Sequence, residues 1–196
     1  MAASRPRKPN TLGGCTAVLA GQLGKIDGNL QELLQTTVAK GVLVIETRGR
    51  IRPDGTAAVE VTMPELRRFA LDGSGDVAIE GGKGPLALAI RGSGDLRWRG
   101  EATTLDAGVE GSGDLRLEGR AETLRVRVEG SGNVDAGKLQ AVNADARVEG
   151  SGDVELSLAG GTLSAAVEGS GDIRWRGEAR AETIGVRGSG EISRRK

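Results

Sequence analysis

The tripeptide Gly-Ser-Gly recurs at a nearly constant spacing, and no other feature of this sequence constrains the fold as strongly. The spacing from one copy to the next is 19 residues, with one interval of 20. An acid or amide and then an aliphatic residue follow each copy, as in Asp95-Leu96 and Asn133-Val134. The copies begin at Gly73, Gly92, Gly111, Gly130, Gly150, Gly169 and Gly188. A fixed period of this length indicates a repeat protein, whose units stack on one another.

Within each repeat, apolar residues alternate with polar or small ones, which is the period of a β-strand. Leu86, Leu88 and Ile90 show the pattern before one Gly-Ser-Gly, and Leu96 and Trp98 show it after the same copy. Each period therefore predicts two strands and two turns. A unit this short cannot bury its own apolar face, so it must stack on its neighbours. Identical turns in register favour the coils of a parallel solenoid over side-by-side hairpins.

The composition agrees with a slim core, because only 2% of the residues are aromatic. Inward positions hold mostly Val, Leu, Ile and Ala, which suit the aliphatic ladders of a narrow interior. We expect the two glycines of each turn to allow positive φ or a close approach to the neighbouring coil. We expect the acid after each turn to accept hydrogen bonds from backbone N–H groups.

Charge and residue types exclude several function classes. The 27 basic and 27 acidic residues cancel and are interspersed, so nucleic acid is not an expected partner. The absence of His excludes Ser-His-Asp and Cys-His nucleophilic sites and imidazole metal ligation. No stretch reaches the roughly 18 to 20 apolar residues of a membrane span. We therefore assign no catalytic, cofactor-binding or metal-binding residue, and we expect no cofactor.

The sequence divides into three segments, of which the last two form one continuous domain. Residues 1–23 are expected to form a disordered or poorly ordered N-terminal arm, residues 24–72 a cap, and residues 73–196 the solenoid. Leu12-Gly13-Gly14-Cys15 has the form of a lipoprotein cleavage box, but the residues before it lack the apolar segment of a signal peptide. A small buried or partly exposed thiol is therefore the favoured interpretation of Cys15.

The cap carries one helical pattern and two strand patterns. Leu30, Leu33, Leu34 and Val38 follow a helical spacing, so a short helix is expected within residues 27–40. Residues 41–47 and 57–62 are typical of two strands joined by a turn at Pro53-Asp54-Gly55. These strands are expected to shield the first coil of the solenoid.

The chain resembles the bacterial head GIN domain family of auto-transporter adhesins over residues 24–192. The similarity lies in Asp27-Gly28-Asn29-Leu30, Gly41-Val42-Leu43-Val44-Ile45, Val59-Glu60-Val61-Thr62-Met63-Pro64 and the serial Gly-Ser-Gly-Asp-aliphatic repeats. It implies a single-stranded right-handed parallel β-helix without a catalytic constellation. It also implies an adhesion role at the cell surface, envelope or periplasm, a protein or glycan partner, and a homo-oligomer, specifically a trimer. The tripeptide Gly-Ile-Asn does not occur here, so the family's trimer contact is not transferred to this chain.

Two alternative functions arise from the acidic residues. Gly-Ser-Gly-Asp is similar to half of a calcium-binding nonapeptide repeat, and Glu110, Glu149 and Glu168 stand just before turns that end in Asp. Structural capping is favoured, since the period is 19 rather than nine and Asn133 interrupts the acids. Stacked acids could also form the carboxylate pair of a polysaccharide-active enzyme. A ladder produces such pairs everywhere, however, so a non-enzymatic module is the preferred prediction.

Trp98 and Trp175 lie in near-identical strings and allow two interpretations. As one alternative, the two rings could form sugar-stacking platforms flanked by arginines. The parity of both residues matches the inward Leu115 and Leu156, which favours a place in the core, where each indole N–H needs an acceptor.

Overall fold

A computed structural model describes residues 15–23, 34–39, 42–47 and 55–195 of this chain. These residues form strands joined by turns and bends. The strands are β1 (Cys15–Leu23), β2 (Leu34–Ala39), β3 (Val42–Thr47), β4 (Gly55–Met63), β5 (Arg68–Gly73), β6 (Asp76–Glu80), β7 (Leu86–Gly92), β8 (Asp95–Gly111), β9 (Leu115–Gly130), β10 (Val134–Gly150), β11 (Val154–Gly169), β12 (Ile173–Gly188) and β13 (Ile192–Arg194).

The strands from β5 onward build a parallel β-solenoid of about 7 turns with roughly 19-residue spacing, which confirms the predicted fold class. Each coil pairs in register with the next, so that Leu96 lies beside Leu115 and Val109 beside Val128. We call the stretch before each Gly-Ser-Gly the leading arm and the stretch after it the trailing arm. From β8 to β12 one strand runs through both arms of a coil, and between β8 and β9 the second bend, expected as a turn, stays in register.

The core consists of inward side chains from both arms, as the alternation predicted. Leu105, Leu115 and Leu124 are fully buried, and the rows above and below them are filled by Val, Ile, Leu and Ala. Each coil adds the same few aliphatic groups to a continuous column, and neighbouring coils bury one another's apolar faces. The sequence therefore needs few aromatic side chains to fill the interior.

The 20-residue interval between Gly130 and Gly150 is absorbed by an irregularity in β10. The register with β9 shifts between Asp135 and Lys138, and the register with β11 shifts between Ala136 and Gln140. Because a bulge takes up one extra residue locally, the Gly-Ser-Gly turns on either side stay aligned.

The N-terminal region differs from the expectation in two places. Residues 15–23 were assigned to a poorly ordered arm, whereas they form β1, which pairs antiparallel with β6 on one side and β4 on the other. A strand was expected at 57–62, and β4 is that strand, but its partner is β1. These two strands cover the free edge of β6 and extend the trailing-arm sheet. Residues 1–14 of the expected arm lie outside the described residues.

The expected helix is replaced, where the structure describes it, by a strand. Residues 34–39 form β2, which pairs antiparallel with β3 in a separate two-stranded sheet. The β-branched run Thr36-Thr37-Val38 favours extended backbone and outweighs the leucine spacing. The remainder of the helical pattern, including Leu30 and Leu33, lies outside the described residues.

Candidate interaction surfaces

The Gly-Ser-Gly corner is a stacked hydrogen-bond ladder. The carbonyl oxygen of Gly92 accepts from the N–H groups of Ser112 and Gly113 in the next coil, at 2.9 and 3.2 Å. The first glycine of a turn has φ near +121° at Gly111, and a Cβ there would overlap the Gly92 carbonyl. The expected close approach of the turns is thus present. The stacking of the turns therefore requires glycine at this position.

The acids after the turns cap the next coil. Asp153 Oδ1 accepts from the backbone N–H of Asp172 at 3.0 Å, and Asp172 Oδ1 accepts from that of Glu191 at 2.8 Å. Asn133 does the same, with its Oδ1 3.0 Å from the N of Asp153. Sequence reasoning predicted the acceptors but not that each donor belongs to the following coil.

Arginine neutralises part of this acidic row. Arg174 donates to Asp153 Oδ2 at 3.0 Å and to Asp172 Oδ2 at 2.6 Å. The hydrogen bond to Asp153 and the nearby acidic charges raise the pKa of Arg174. Among the described residues, no group of three or more Cys, Asp and Glu side chains is placed to hold a metal ion. The contacts that the row makes are hydrogen bonds to backbone N–H groups of the following coil and ion pairs with arginine.

The capping role predicts different results for two substitutions of Asp153. Asp153→Ala should lower the free energy of unfolding by about 1 kcal/mol, because the Asp172 N–H and Arg174 both lose an acceptor. Asp153→Asn should cost clearly less, because an amide oxygen caps as Asn133 does. Urea unfolding of the three proteins measures this, with and without about 1 mM calcium. A calcium-dependent stabilisation of the unsubstituted protein, lost in both variants, would support the calcium alternative instead.

Both tryptophans belong to the core. Trp98 is 0% and Trp175 2% exposed. The indole N–H of Trp98 donates to the carbonyl oxygen of Gly81 at 3.0 Å, and the guanidinium of Arg194 lies 4.9 Å from the ring centre of Trp175. The prediction of core tryptophans is confirmed, and the sugar-platform alternative was wrong, because neither ring face is open for stacking.

The outward face of the leading arms, which we call the leading flank, carries interlocked charges. Glu110, Glu129, Glu149 and Glu168 form one row along successive coils. Arg127 pairs with Glu129 in its own coil and with Glu149 in the next, 2.9 Å away. The hydrogen bond to Glu129, followed by the charge of Glu149, raises the pKa of Arg127. Exposed pairs of this kind contribute little to stability, so they mainly shape the surface.

A depression of about 340 Å³ lies on the leading flank near its last coils. Two outward rows that carry Arg125 and Arg127 in an earlier coil carry small residues at the depression. These are Ser164 and Ala166 in one coil and Thr183 and Gly185 in the next. Long side chains of neighbouring positions border this low floor, contributed by Arg147, Glu149 and Glu168. A second depression of about 350 Å³ is lined by Ala159, Gly160, Glu178, Ala179, Arg180 and Arg194.

The last leading arm, residues 182–188, is open on one side within the described part of the chain. β13 pairs only with the trailing arm of β12. Ile184 and Val186 continue inward rows but are 48% and 43% exposed. Glu182 occupies the position of the buried Leu163 one coil below. An inward-directed charge at an edge strand opposes pairing with another chain.

This edge predicts that Glu182→Leu promotes self-association of the chain. The substitution continues the apolar row of Leu163 and removes the charge that opposes edge pairing. We expect the mean mass in solution to rise with protein concentration, as measured by light scattering after size-exclusion chromatography. Thr183→Leu is the matched control, because Thr183 continues the outward row of Ser164. Equal association of both variants would attribute the effect to added surface apolarity alone.

The fold and these surfaces define a β-solenoid with charged outer flanks and a closed aliphatic core. Within the described residues there is no helix of the length and apolarity that crossing a bilayer requires. The family model described as "Putative auto-transporter adhesin, head GIN domain" matches residues 25–179. The chain belongs to this family, as its repeats and N-terminal motifs predicted.

One solved structure supports the same assignment, and two others share the fold. A "putative adhesin" from Bacteroides fragilis is 28% identical with a TM-score of 0.78, and the match covers 84% of this chain and 77% of that one. A "putative adhesin" from Parabacteroides distasonis is 22% identical with a TM-score of 0.60, covering 84% and 80%. A "putative lipid binding protein" of the same species is 22% identical with a TM-score of 0.65, covering 86% and 81%. The two at 22% identity bear on the fold alone. Among curated proteins, none matches this chain.

Proposed function

We propose that this protein is a non-enzymatic binding module of the bacterial cell surface or envelope that recognises a glycan or a protein. The observation that carries the proposal is the depression on the leading flank, where small floor residues lie among charged and hydroxyl side chains. Ligand sites combine a recess with a few polar groups that fix orientation. The family membership and the adhesin description of the Bacteroides fragilis structure support the same role.

The chemistry of the depression suits a polar ligand. Ser164 and Thr183 offer hydroxyl groups, Arg147 offers guanidinium donors, and Glu149 and Glu168 offer acceptors. These groups match the alternating donors and acceptors of a sugar or of a peptide backbone. The depression also lies on hydrogen-bonded strands, so its backbone needs no ordering when a ligand binds.

Filling the depression tests the proposal. Ala166→Arg restores the side chain that Arg127 and Arg147 carry in the same row, so it should preserve the fold and block the floor. We expect binding to a glycan array and to immobilised extracellular-matrix proteins to weaken by about tenfold or more. Ala89→Arg is the matched control, since Ala89 lies in the same row several coils away. Unchanged binding by Ala166→Arg would place the site elsewhere, and no binding by the unsubstituted protein would contradict the proposal.

The enzymatic alternative has its own test. Incubation with acidic and neutral polysaccharides, followed by a reducing-end assay, should give no products. Product formation that survives purification to homogeneity would overturn the non-enzymatic assignment.

A further inference from the structure

The hairpin of β2 and β3 exposes apolar side chains on both of its faces. Register places Val38 opposite Leu43, whereas Val42 and Val44 project from the other face. Their exposed fractions are 73% for Val38, 58% for Val42, 41% for Val44 and 38% for Leu43. Four aliphatic residues thus share the hairpin end at which residues 40–41 join the two strands.

This concentration differs from the rest of the described surface. The other large exposed apolar side chains are Val142 on the outside of the solenoid and Ile184 and Val186 at its last leading arm. β2 and β3 form a sheet of their own and pair with no other described strand. Two strands alone are marginally stable in water, so a hairpin with two apolar faces gains stability from an environment that covers both.

The distribution of the apolar groups over both faces of the hairpin indicates which environment covers them. A flat protein partner covers one face of a two-stranded sheet and leaves the other in water. The boundary between lipid headgroups and acyl chains surrounds an inserted hairpin end on all sides, and binding there grows with the apolar area that enters.

The local charge favours an anionic lipid surface. Residues 34–54 hold four cationic side chains against Glu46 and Asp54, a net charge of +2 in a chain whose total is zero. Lys40 lies in the two-residue connection between the strands, and Arg48, Arg50 and Arg52 follow β3 directly in the sequence. Basic residues next to an inserting apolar segment attract acidic headgroups, and long cationic side chains reach back to the phosphates.

We propose that the connected end of the β2–β3 hairpin inserts into the headgroup region of an anionic lipid surface, with Val38, Val42, Leu43 and Val44 as the inserting residues. The solenoid then stands outside the lipid, with its leading flank accessible. This inference stands on the hairpin alone and does not depend on a ligand in the leading-flank depression.

Vesicle flotation tests the insertion. The full chain should float with vesicles of phosphatidylcholine and phosphatidylglycerol, and more weakly with phosphatidylcholine alone. Flotation with the phosphatidylglycerol vesicles should weaken in about 0.5 M NaCl, because salt screens the attraction to the anionic headgroups. The double variant Val42→Ser with Leu43→Ser removes one aliphatic group from each face and should reduce partitioning by about tenfold. Val142→Ser is the matched control, because Val142 is similarly exposed, at 42%, but lies on the solenoid.

Three further readouts decide between explanations. Emission from the buried Trp98 and Trp175 reports whether the solenoid of each variant is intact. Failure of the intact protein to float with either vesicle overturns the proposal, as does equal flotation of the hairpin double variant. Self-association that the double variant abolishes, in the absence of vesicle binding, would show that a second copy covers the hairpin and would also overturn it. Ala166→Arg should leave flotation unchanged, which separates this test from that of the proposed function.

Discussion

Gly113→Ala should destabilise the solenoid by at least about 2 kcal/mol, although it adds only one methyl group. A Cβ on Gly113 would overlap the carbonyl oxygen of Gly94 in the coil below and would lie 2.9 Å from Cγ2 of Ile90. Neither neighbour is free to move, because the carbonyl belongs to the stacked turn and Ile90 is 1% exposed. The coil must then separate from its neighbour at the corner and weaken the ladder hydrogen bonds there.

Gly108→Ala is the matched control for this prediction. Gly108 lies in the same coil, on the outward face of the leading arm, and the nearest atom to a Cβ there is the Leu88 carbonyl oxygen at 4.0 Å. The same chemical change should therefore be neutral or raise stability by up to about 1 kcal/mol, through the lower entropy of the unfolded chain. Urea unfolding of both variants measures the difference. Equal midpoints would show that the turn glycines are not required by close approach.

The solenoid was predictable because the same turn sequence, Gly-Ser-Gly, occurs seven times at a nearly constant spacing. Turn, acid and inward row each recur at one spacing, so a single unit predicts the contacts of all its neighbours. Asp153 and Trp98 were interpreted correctly for this reason, since each could be compared with its equivalents in other coils. The donor for each capping acid was missed because it belongs to the following coil and not to the same turn.

The N-terminal region could not be predicted as well, because it lies outside the repeat. β1 pairs with residues that lie 32 to 64 positions later in the chain, and no local pattern encodes such pairing. In β2 two local signals competed, the spacing of Leu30, Leu33 and Leu34 and the β-branched run beginning at Thr36. The β-branched residues form a strand, β2, which pairs in register with β3.

The depression on the leading flank corresponds to a change of side-chain size in the sequence, which the period-two alternation of apolar and polar residues does not reveal. Outward positions were read only as polar or small, which is enough to predict strands. Comparison of one outward row across coils shows Arg127 and Arg147 giving way to Ala166 and Gly185. A change of side-chain length along a row, rather than any motif, is what forms a recess on a solenoid.

Trp98→Ala should have the largest effect on stability of any single substitution in the core, about 3 to 5 kcal/mol. Trp98 is the largest of the fully buried side chains, and coils stack above and below it, so the cavity cannot collapse without separating the ladder. The substitution also leaves the Gly81 carbonyl without its indole donor. Trp98→Phe keeps most of the volume and loses the donor, so it should cost about 1 to 2 kcal/mol in addition to the missing ring atoms.

The same measurement separates a core role from a surface role for this residue. Unfolding by urea can be followed through the remaining Trp175, which is buried in a later coil. Val142→Ala, at a 42% exposed position, provides a baseline that should stay within about 0.5 kcal/mol of the unsubstituted protein. If Trp98→Ala instead unfolds at the same urea concentration as Val142→Ala, then the indole does not fill the column. In that case the aliphatic rows alone hold the coils together, and the near-identical strings around Trp98 and Trp175 need an explanation other than packing.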